Sequence, residues 1–181
     1  VIPYCEFEES FVIEKVFGHK FSEYYISTAY INFPETYLKH IRTKHTTIIS
    51  PDSSCNTFFG SSFLDKLVCK LYDYYTIKTE NILEKADLRT FYKKKASFHF
   101  KGIWAFAGDF AITVIGSSNF NERSYRKDKE LNFVLVTKDE QLIKQFKQEI
   151  KYLKRHSVKV DGDNQVSIFV KLVGYMMKYF L

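Results

Sequence analysis

The first fifty residues combine two strand-like apolar stretches with short polar connections. Residues 24–33 (YYISTAYINF) are rich in β-branched and aromatic side chains, which predicts a buried strand ending before Pro34. Residues 35–42 predict a short helix, and residues 46–50 (TTIIS) predict a second strand, which Pro51 ends. A weaker helical spacing of apolar residues precedes them, at Phe7, Phe11, Val12 and Val16. The order of strand, helix and strand indicates the beginning of an α/β fold.

A helix and a pair of strands are predicted in the middle of the chain. After a loop-like stretch, apolar residues fall at helical spacing, at Phe63, Leu64, Leu67, Val68, Leu71 and Tyr72. Residues 97–107 and 110–115 predict two strands joined by the turn Gly108-Asp109, because glycine at the first position suits a two-residue hairpin.

The last third of the chain adds a strand, a long helix and an apolar end. Residues 131–137 (LNFVLVT) predict a strand, and Asp139 is placed to cap a long helix after it. Residues 76–95 are mixed and charged and predict no regular element, whereas residues 166–181 are apolar nearly all round. Without an internal repeat or a low-complexity linker, residues 1–181 are expected to form a single α/β domain.

The composition restricts the kinds of binding partner more than it restricts the fold. The formal net charge is +6 and the isoelectric point is about 9.0, which favours contact with phosphorylated substrates, anionic lipid surfaces or nucleic acid. Three cysteines without metal-ligand spacing fit a reducing compartment. No stretch approaches the roughly 20 apolar residues that span a bilayer. Val1 is not an expected initiator, so we expect the natural chain to begin further upstream.

Chemistry is concentrated in residues 99–130. His99 and Lys101 are two positions apart on a predicted strand, so their side chains are expected on one face. Histidine can attack phosphorus or protonate a leaving oxygen, and lysine neutralises phosphate oxygens. The small residues of Gly116-Ser117-Ser118-Asn119 offer hydrogen-bond donors to the same oxygens, and a carboxylate such as Glu130 can orient the imidazole.

Each of these features also has an ordinary structural explanation. A His-x-Lys pair is usually part of a solvated strand face, a Gly-Ser-Ser-Asn turn is usually a loop, and Glu130 lies in a charged run (RKDKEL). The ordered set is far more specific than its parts. It comprises His-x-Lys, a second strand, the stretch GSSNFNERS and an acidic residue that enters a third strand.

The stretch HFK…GSSNFNERS resembles the HKD motif of the phospholipase D superfamily, His-x-Lys-x4-Asp-x6-Gly-Ser-x-Asn. Within that superfamily the chain is most similar to the C-terminal half of the eukaryotic CDP-diacylglycerol–glycerol-3-phosphate 3-phosphatidyltransferases. Three stretches carry this closer similarity, FHFKGIW, SPDSSCNTFFG and QVSIFVKLVGYMMKYFL. The resemblance extends from about residue 24 to residue 181.

The resemblance implies a fold and a set of site residues. The fold is an α-β-α sandwich with a mixed central sheet flanked by helices. The catalytic residues would be His99, Lys101, Asn119 and Glu130, with His99 as general acid or base. Ser117, Ser118 and Lys101 would bind the substrate phosphate, and Asn56 would belong to a substrate loop. The resemblance implies no metal ion and no cofactor.

Two departures from the family pattern concern the motif aspartate and the substrate loop. Phe106 occupies the position of the aspartate, five residues after Lys101. Asp109 is separated from Gly116 by the expected six intervening residues, but it also completes the predicted turn, and we favour the turn. Thr57 replaces a glycine of the substrate loop, which otherwise reads as a loop anchored by two buried aromatics.

The chain carries one HKD motif, whereas superfamily enzymes build one active site from two. Three explanations stand: a first-motif half lies upstream in a longer chain, the protein homodimerises, or activity is lost. We favour the first. The resemblance then implies CDP-diacylglycerol and glycerol 3-phosphate as substrates, a second HKD half as partner, and peripheral contact with an anionic membrane. It also implies no nucleic-acid partner and a mitochondrial location, or one in a mitochondrion-derived organelle, at the inner membrane.

The expected reaction is phosphatidyl transfer from CDP-diacylglycerol to glycerol 3-phosphate through a phosphohistidine, releasing CMP. The alternatives are another phosphodiester reaction on the same motif, in a nuclease or a cardiolipin synthase-like enzyme, or a catalytically incomplete half that serves dimerisation or membrane docking. The apolar C-terminal stretch and the Gly-Ile-Trp sequence at residues 102–104 speak against a nuclease.

Overall fold

A seven-stranded sheet forms the centre of the molecule in the computed structural model, which describes residues 8–160 and 166–179. The strands follow one another along the sheet in the order β6-β5-β4-β1-β2-β3-β7. Their bounds are β1 Glu23–Ser27, β2 Thr46–Pro51, β3 Asp87–Phe91, β4 Gly102–Ala107, β5 Phe110–Gly116, β6 Asn132–Thr137 and β7 Ser157–Lys159. Strands β1, β2 and β3 are parallel, and the other pairings are antiparallel. The predicted mixed sheet is thus confirmed.

Six helices accompany the sheet within the described residues: α1 Glu8–Gly18, α2 Glu35–Ile41, α3 Phe63–Ile82, α4 Glu122–Arg126, α5 Glu140–Arg155 and α6 Ile168–Met177. A 3-10 turn covers Ser53–Cys55. Two helices begin as the sequence predicts: the Asp139 carboxylate accepts from Leu142 N at 2.7 Å, and Ser62 and Asp65 form a capping box on α3.

The two faces of the sheet bury different helices, which confirms the predicted α-β-α arrangement. Ile26, Ile48 and Ile103 point to the face that is covered by α1, α2, α3 and α6. Trp104 and Phe106 point to the other face, where they pack against α5. Alternation of side chains along β4 therefore separates two cores within one strand. No helix among residues 8–160 and 166–179 has the length and apolar composition needed to cross a membrane.

Several predicted boundaries are wrong. The strand predicted at residues 24–33 ends at Ser27, and the chain beyond it is buried without pairing in the sheet. The strand predicted at residues 97–107 begins only at Gly102. Residues 76–95, read as irregular, contain the end of α3 and all of β3. β-branched and aromatic content reports burial, and burial in these segments comes from tertiary packing as well as from the sheet.

Other predicted boundaries hold. The hairpin turn at Gly108-Asp109 is confirmed, with Gly108 at φ +60° and Ala107 paired with Phe110.

The prediction of one domain over residues 1–181 includes residues 1–7, 161–165 and 180–181, which lie outside the described residues, and it stays a prediction.

The strand register brings one end of each of the strands β1, β4, β5 and β6 to the same end of the sheet. Ser27, the last residue of β1, pairs with Gly102, the first residue of β4. Gly102 in turn pairs with Ile115 near the end of β5, and Gly116 pairs with Asn132 at the start of β6. The segments that carry the candidate residues leave the sheet at this end, where ligands of α/β sheets commonly bind.

Candidate active site

His99 and Lys101 lie in an extended segment directly before β4, and not on the strand itself as predicted. The His99 side chain is exposed, and its ring meets the Tyr30 ring edge-on with centroids 6.2 Å apart. Lys101 is half-buried, and its Nζ donates to the His99 carbonyl oxygen at 3.3 Å. The lysine thereby fixes the backbone of the residue whose imidazole faces solvent.

Burial and the neighbouring Lys101 charge both lower the pKa of His99 below the usual histidine value. Each effect disfavours the protonated imidazolium, because a cation is poorly solvated there and is repelled by the ammonium group. Burial also lowers the pKa of Lys101, and the negative charge of Glu130 opposes that shift. Both pKa shifts are therefore toward the uncharged form, and the Glu130 charge favours retention of the lysine cation.

Replacing Lys101 by glutamine is expected to raise the pKa of His99, since the repelling charge is lost while the burial remains. Titration of the His99 imidazole carbons by NMR measures this directly. Lys94→Gln removes the charge of an exposed lysine in the same segment and is the matched control. It should leave the His99 titration near its wild-type position. An unchanged or lower His99 pKa in the Lys101 variant would show that the lysine charge does not act on the imidazole.

Ser118 and Asn119 form a tight, partly buried turn after β5. Ser118 is fully buried, and its Oγ accepts from Phe120 N at 2.9 Å, which helps to hold Phe120 at φ 55°. The Asn119 carbonyl accepts from Thr28 Oγ1 at 2.7 Å, and Asn119 N donates to Ser124 Oγ at 3.2 Å. That hydroxyl is thus enclosed and serves the turn, and the phosphate-binding role of Ser118 stays a prediction.

The Asn119 side chain is the polar group of this turn that remains available. Its Oδ1 is buried and has no hydrogen-bond partner among the residues that the structure describes. An amide whose oxygen is unpaired is suited to a polar ligand, because burying that oxygen without a partner costs about 1–3 kcal/mol. The catalytic role of Asn119 stays a prediction.

Glu130 is tied to serines and not to the histidine. Its Oε2 accepts from Ser117 Oγ at 2.5 Å, and its Oε1 accepts from Ser124 Oγ at 2.8 Å. Both oxygens thus hold the Gly-Ser-Ser-Asn turn, and no hydrogen bond joins Glu130 to His99 in the described structure. In this chain two hydroxyl donors occupy the carboxylate, and orientation of the His99 imidazole by Glu130 stays a prediction.

Gly116 is required where β5 meets β6. A Cβ at this position would lie 2.2 Å from both Asn132 Oδ1 and the Leu131 carbonyl oxygen, one of which is backbone. Gly116→Ala is expected to lower the free energy of unfolding by about 1–3 kcal/mol, the usual cost of overpacking. Urea unfolding of the variant measures it. Gly18→Ala is the control, because nothing lies within 4 Å of its added methyl group, and equal losses in both variants would contradict this account.

A mostly buried carboxylate that the sequence did not single out supports the turn from α1. Glu9 accepts from Tyr37 OH and from Asn132 Nδ2, each at 2.7 Å. It also makes a hydrogen bond with the Ser118 side chain, and burial raises its pKa. Glu9 lies in a segment with weak helical spacing, so no sequence signal marked it. Its place beside Ser118 comes from the packing of α1 against the sheet.

A second buried carboxylate lies within the stretch GSSNFNERS itself. Glu122 is 2% exposed, and it pairs with Arg126 at 2.6 Å and with Lys178 at 3.5 Å. Ser124 of the same stretch bonds Glu130, as described above. The sequence analysis predicts no role for Glu122 or Ser124. Their closeness in sequence to Ser117 and Ser118 is the feature that could have marked them.

The structure decides the question of the motif aspartate. Phe106, at the expected position, is 1% exposed and packs on the α5 face. Asp109 lies in the hairpin turn at the opposite end of β4 and β5 from Gly102 and Gly116, and it pairs with Lys138 at 3.7 Å. A six-residue strand is about 20 Å long, so Asp109 cannot join the site. The interpretation of Asp109 as a turn residue is confirmed.

Asn56 acts within its own loop. It is 5% exposed, its Oδ1 accepts from Phe58 N at 2.9 Å, and its carbonyl accepts from Phe59 N at 2.9 Å. The expectation of a loop anchored by two buried aromatics is wrong, because Phe58 and Phe59 are exposed. Phe58 still borders the site, since its ring lies 5.5 Å from the Tyr30 ring. Tyr30, from the stretch first read as a strand, thus connects this loop to His99.

The assembled features suit chemistry on a phosphate group. An imidazole, an ammonium group, an amide with an unpaired oxygen and a tightly held serine turn meet at one end of the sheet. In the described ranges 8–160 and 166–179, no group of three or more His, Cys, Asp or Glu residues is arranged to hold a metal ion.

Relatives of known name cover most of this chain. A protein of Dictyostelium discoideum named "Probable CDP-diacylglycerol--glycerol-3-phosphate 3-phosphatidyltransferase" is 28% identical over 178 residues, which is 88% of this chain and 30% of the relative. The mitochondrial CDP-diacylglycerol–glycerol-3-phosphate 3-phosphatidyltransferase of Bos taurus is 27% identical, over 86% of this chain and 31% of the relative. The chain thus spans about a third of the length of these relatives.

Solved structures share the fold. The phosphatidylserine synthase of Haemophilus influenzae matches 96% of this chain and 45% of its own with a TM-score of 0.76 at 22% identity. The phospholipase D family member Nuc of Salmonella typhimurium matches 83% of this chain and 89% of its own with a TM-score of 0.57 at 14% identity. Residues 23–154 match the family model described as "Cardiolipin synthase, PLD-like domain", and the chain belongs to this family of phospholipase D-like domains.

Proposed function

We propose that this chain is the second-motif half of a phosphatidyltransferase that transfers the phosphatidyl group of CDP-diacylglycerol to sn-glycerol 3-phosphate. The carrying observation is that the strand register places the His99–Lys101 segment and the Gly116–Asn119 turn at one end of the sheet. The names of the relatives give the substrates, and the pathway is that of phosphatidylglycerol and cardiolipin.

The reaction divides into two displacements at phosphorus. A histidine attacks the β-phosphorus of CDP-diacylglycerol, the bond to the CMP oxygen breaks, and a phosphatidyl-histidine forms. The 1-hydroxyl of glycerol 3-phosphate then attacks the same phosphorus, loses its proton to a base, and releases the histidine. His99 acts as the general acid and then the base, and its lowered pKa suits the second role.

The remaining residues neutralise and orient the phosphoryl oxygens. Lys101 supplies a positive charge without needing a metal ion, and the Asn119 amide supplies hydrogen bonds. Ser117 can donate to an oxygen only by leaving Glu130, so its first role is to hold the turn. Asn56 serves its own loop, and no contact with substrate is proposed for it.

The nucleophilic histidine must come from a second HKD half. We propose that this half packs against the outer strands β5 and β6, beside the site. Ile115, Phe133 and Leu135 share one face there and are all exposed, and the pair Gly116–Asn132 lies next to them. Apolar patches of this kind mark interfaces in soluble proteins. A first-motif half of the same chain is the preferred partner, and a second copy of this chain is the alternative.

The proposed location is mitochondrial, or in an organelle derived from the mitochondrion, at the surface of the inner membrane. The mitochondrial relatives and the lipid substrate support it. Contact with an anionic bilayer is proposed as peripheral.

An assay of the full-length protein tests the function. Radiolabelled glycerol 3-phosphate should enter lipid only when CDP-diacylglycerol is present, with one CMP released for each phosphatidylglycerophosphate formed. Parallel reactions with single-stranded DNA and with phosphatidylglycerol as acceptor examine the nuclease and cardiolipin-forming alternatives. DNA cleavage, or cardiolipin formation without incorporation of glycerol 3-phosphate, would overturn the proposal.

A further inference from the structure

Helix α6 has one face against the protein and another face that is apolar and exposed. Gly174 lies against α3, where its missing Cβ leaves room for the Tyr74 ring, and its carbonyl accepts from Tyr75 OH at 2.7 Å. Val170 is 5% exposed on the same side. The opposite face consists of Ile168, Phe169, Leu172, Tyr175 and Met176. The helix is therefore buried along one face only.

The exposed positions of α6 form one continuous stripe. Positions 168, 169, 172, 175 and 176 follow the spacing of a single helix face, and Ile168 and Tyr175 are 77% and 80% exposed. Five adjacent large apolar side chains on ten residues exceed the scattered exposure that is ordinary for a soluble surface. Water is an unfavourable neighbour for this stripe, at about 25 cal/mol for each Å² of apolar area.

The beginning of α3 carries two further exposed apolar residues on the same side of the sheet. Phe63 and Leu64 are 72% and 68% exposed, and α3 and α6 both pack on the sheet face opposite α5. Exposed lysines accompany both helices, at Lys66, Lys70 and Lys171. The described residues 166–179 include no aspartate or glutamate. Apolar residues flanked by cations, without acids on the helix itself, complement an anionic lipid surface.

This surface is connected to the candidate active site at both helices. The Lys178 carbonyl, just after α6, accepts from Asn32 Nδ2 at 2.7 Å, and the Lys178 ammonium pairs with the buried Glu122 of the motif stretch. In the loop before α3, the Phe58 ring lies 5.5 Å from the Tyr30 ring at a tilt, and the Tyr30 ring meets His99. A lipid headgroup plane that touched both helices would thus lie next to the phosphate site.

We propose that the exposed face of α6 and the first turn of α3 form the surface with which the protein docks on an anionic bilayer. The α6 helix would lie in the plane of the interface, with Phe169, Leu172 and Tyr175 among the acyl chains and Lys171 at the headgroups. The inference rests on the proposed function for its reason, because the phosphatidyl donor resides in such a bilayer. The residues that carry it are distinct from those assigned to the chemistry.

The test compares the full-length protein with the variant Leu172→Glu/Tyr175→Glu in cosedimentation with vesicles. The vesicles contain about 30% phosphatidylglycerol in phosphatidylcholine, or phosphatidylcholine alone. We expect wild-type binding to the anionic vesicles, at least a tenfold loss in the variant, and weaker binding of both to the neutral vesicles. Val158→Glu, the same change at a 64% exposed position on β7, is the control and should bind as wild type does.

Two further measurements separate the surface from the reaction. Transfer activity on CDP-diacylglycerol in detergent micelles should be equal in the variant and the wild type, because no catalytic residue is changed. Retained vesicle binding by the variant would overturn the docking surface and leave the function untouched. Lost micellar activity in wild type would overturn the function alone. Conversion of a wild-type dimer to a monomer by the variant, with unchanged vesicle binding, would assign this face to a second copy and reject the proposal.

Discussion

Replacing His99 by alanine in the full-length protein is expected to lower phosphatidyl transfer by at least about a thousandfold. The imidazole is the proposed proton donor in the first half-reaction and the proton acceptor in the second, and loss of general acid–base catalysis costs about 10²–10⁴ in rate. The charge of Lys101 cannot replace a proton transfer. The measurement is kcat for incorporation of labelled glycerol 3-phosphate, at saturating CDP-diacylglycerol.

The His99 variant should fold as the wild type does. The His99 side chain is exposed, so its loss should change the free energy of unfolding by less than about 0.5 kcal/mol. His45→Ala is the matched control, because His45 is also exposed and lies directly before β2, at the opposite end of the sheet from the site. This variant should retain full activity. Turnover of the His99 variant within tenfold of wild type would remove His99 from the mechanism and with it the proposed active site.

Replacing Glu130 by alanine is the second large expected effect, at roughly a hundredfold loss of kcat. The substitution removes the acceptor of both Ser117 Oγ and Ser124 Oγ, and Ser124 Oγ in turn accepts from Asn119 N. The turn that presents the Asn119 amide is then free to shift, and a displacement of about 1 Å can cost about 10²-fold in rate. Glu130 acts in this account as a positioning residue.

The conservative variant distinguishes positioning from mere stabilisation. Glu130→Gln retains one oxygen to accept from a serine hydroxyl, so its kcat should lie between that of Glu130→Ala and the wild type, with KM for CDP-diacylglycerol nearly unchanged. Glu84→Ala, at an exposed position after α3, is the control for loss of a carboxylate. Equal kcat in wild type and Glu130→Ala would contradict the positioning role, whatever happens to stability.

The candidate site residues were recognisable in the sequence because few structural roles require a histidine, a lysine and a Gly-Ser-x-Asn turn in this order. His99, Lys101 and the turn at Asn119 are separated by a predictable hairpin, whose alternating apolar residues and Gly108-Asp109 turn fix its length. Local backbone preferences therefore determined that these segments meet at one end of two paired strands.

The roles of their neighbours were not predictable in the same way. Glu130 appeared suited to the imidazole by type, but two serines reach its oxygens first, and only three-dimensional distances rank such competitors. Glu9 supports the turn from more than one hundred residues away in sequence, through the packing of α1. Gly102 looks like an ordinary strand residue in the sequence. In the structure, however, only glycine fits there, because a side chain would collide with the Trp104 ring.

By itself the sequence determined the α/β class, the hairpin, the helix that begins at Phe63 and the cap of α5 at Asp139. These features depend on periodicity, capping and turn chemistry, which act over a few residues. Tertiary structure alone decided that β3 and β7 complete the sheet, that Ser118 is enclosed, and that α6 presents an apolar face outward. Each of these outcomes depends on which distant surface buries a segment, and contacts between distant segments leave no periodic signal in the chain.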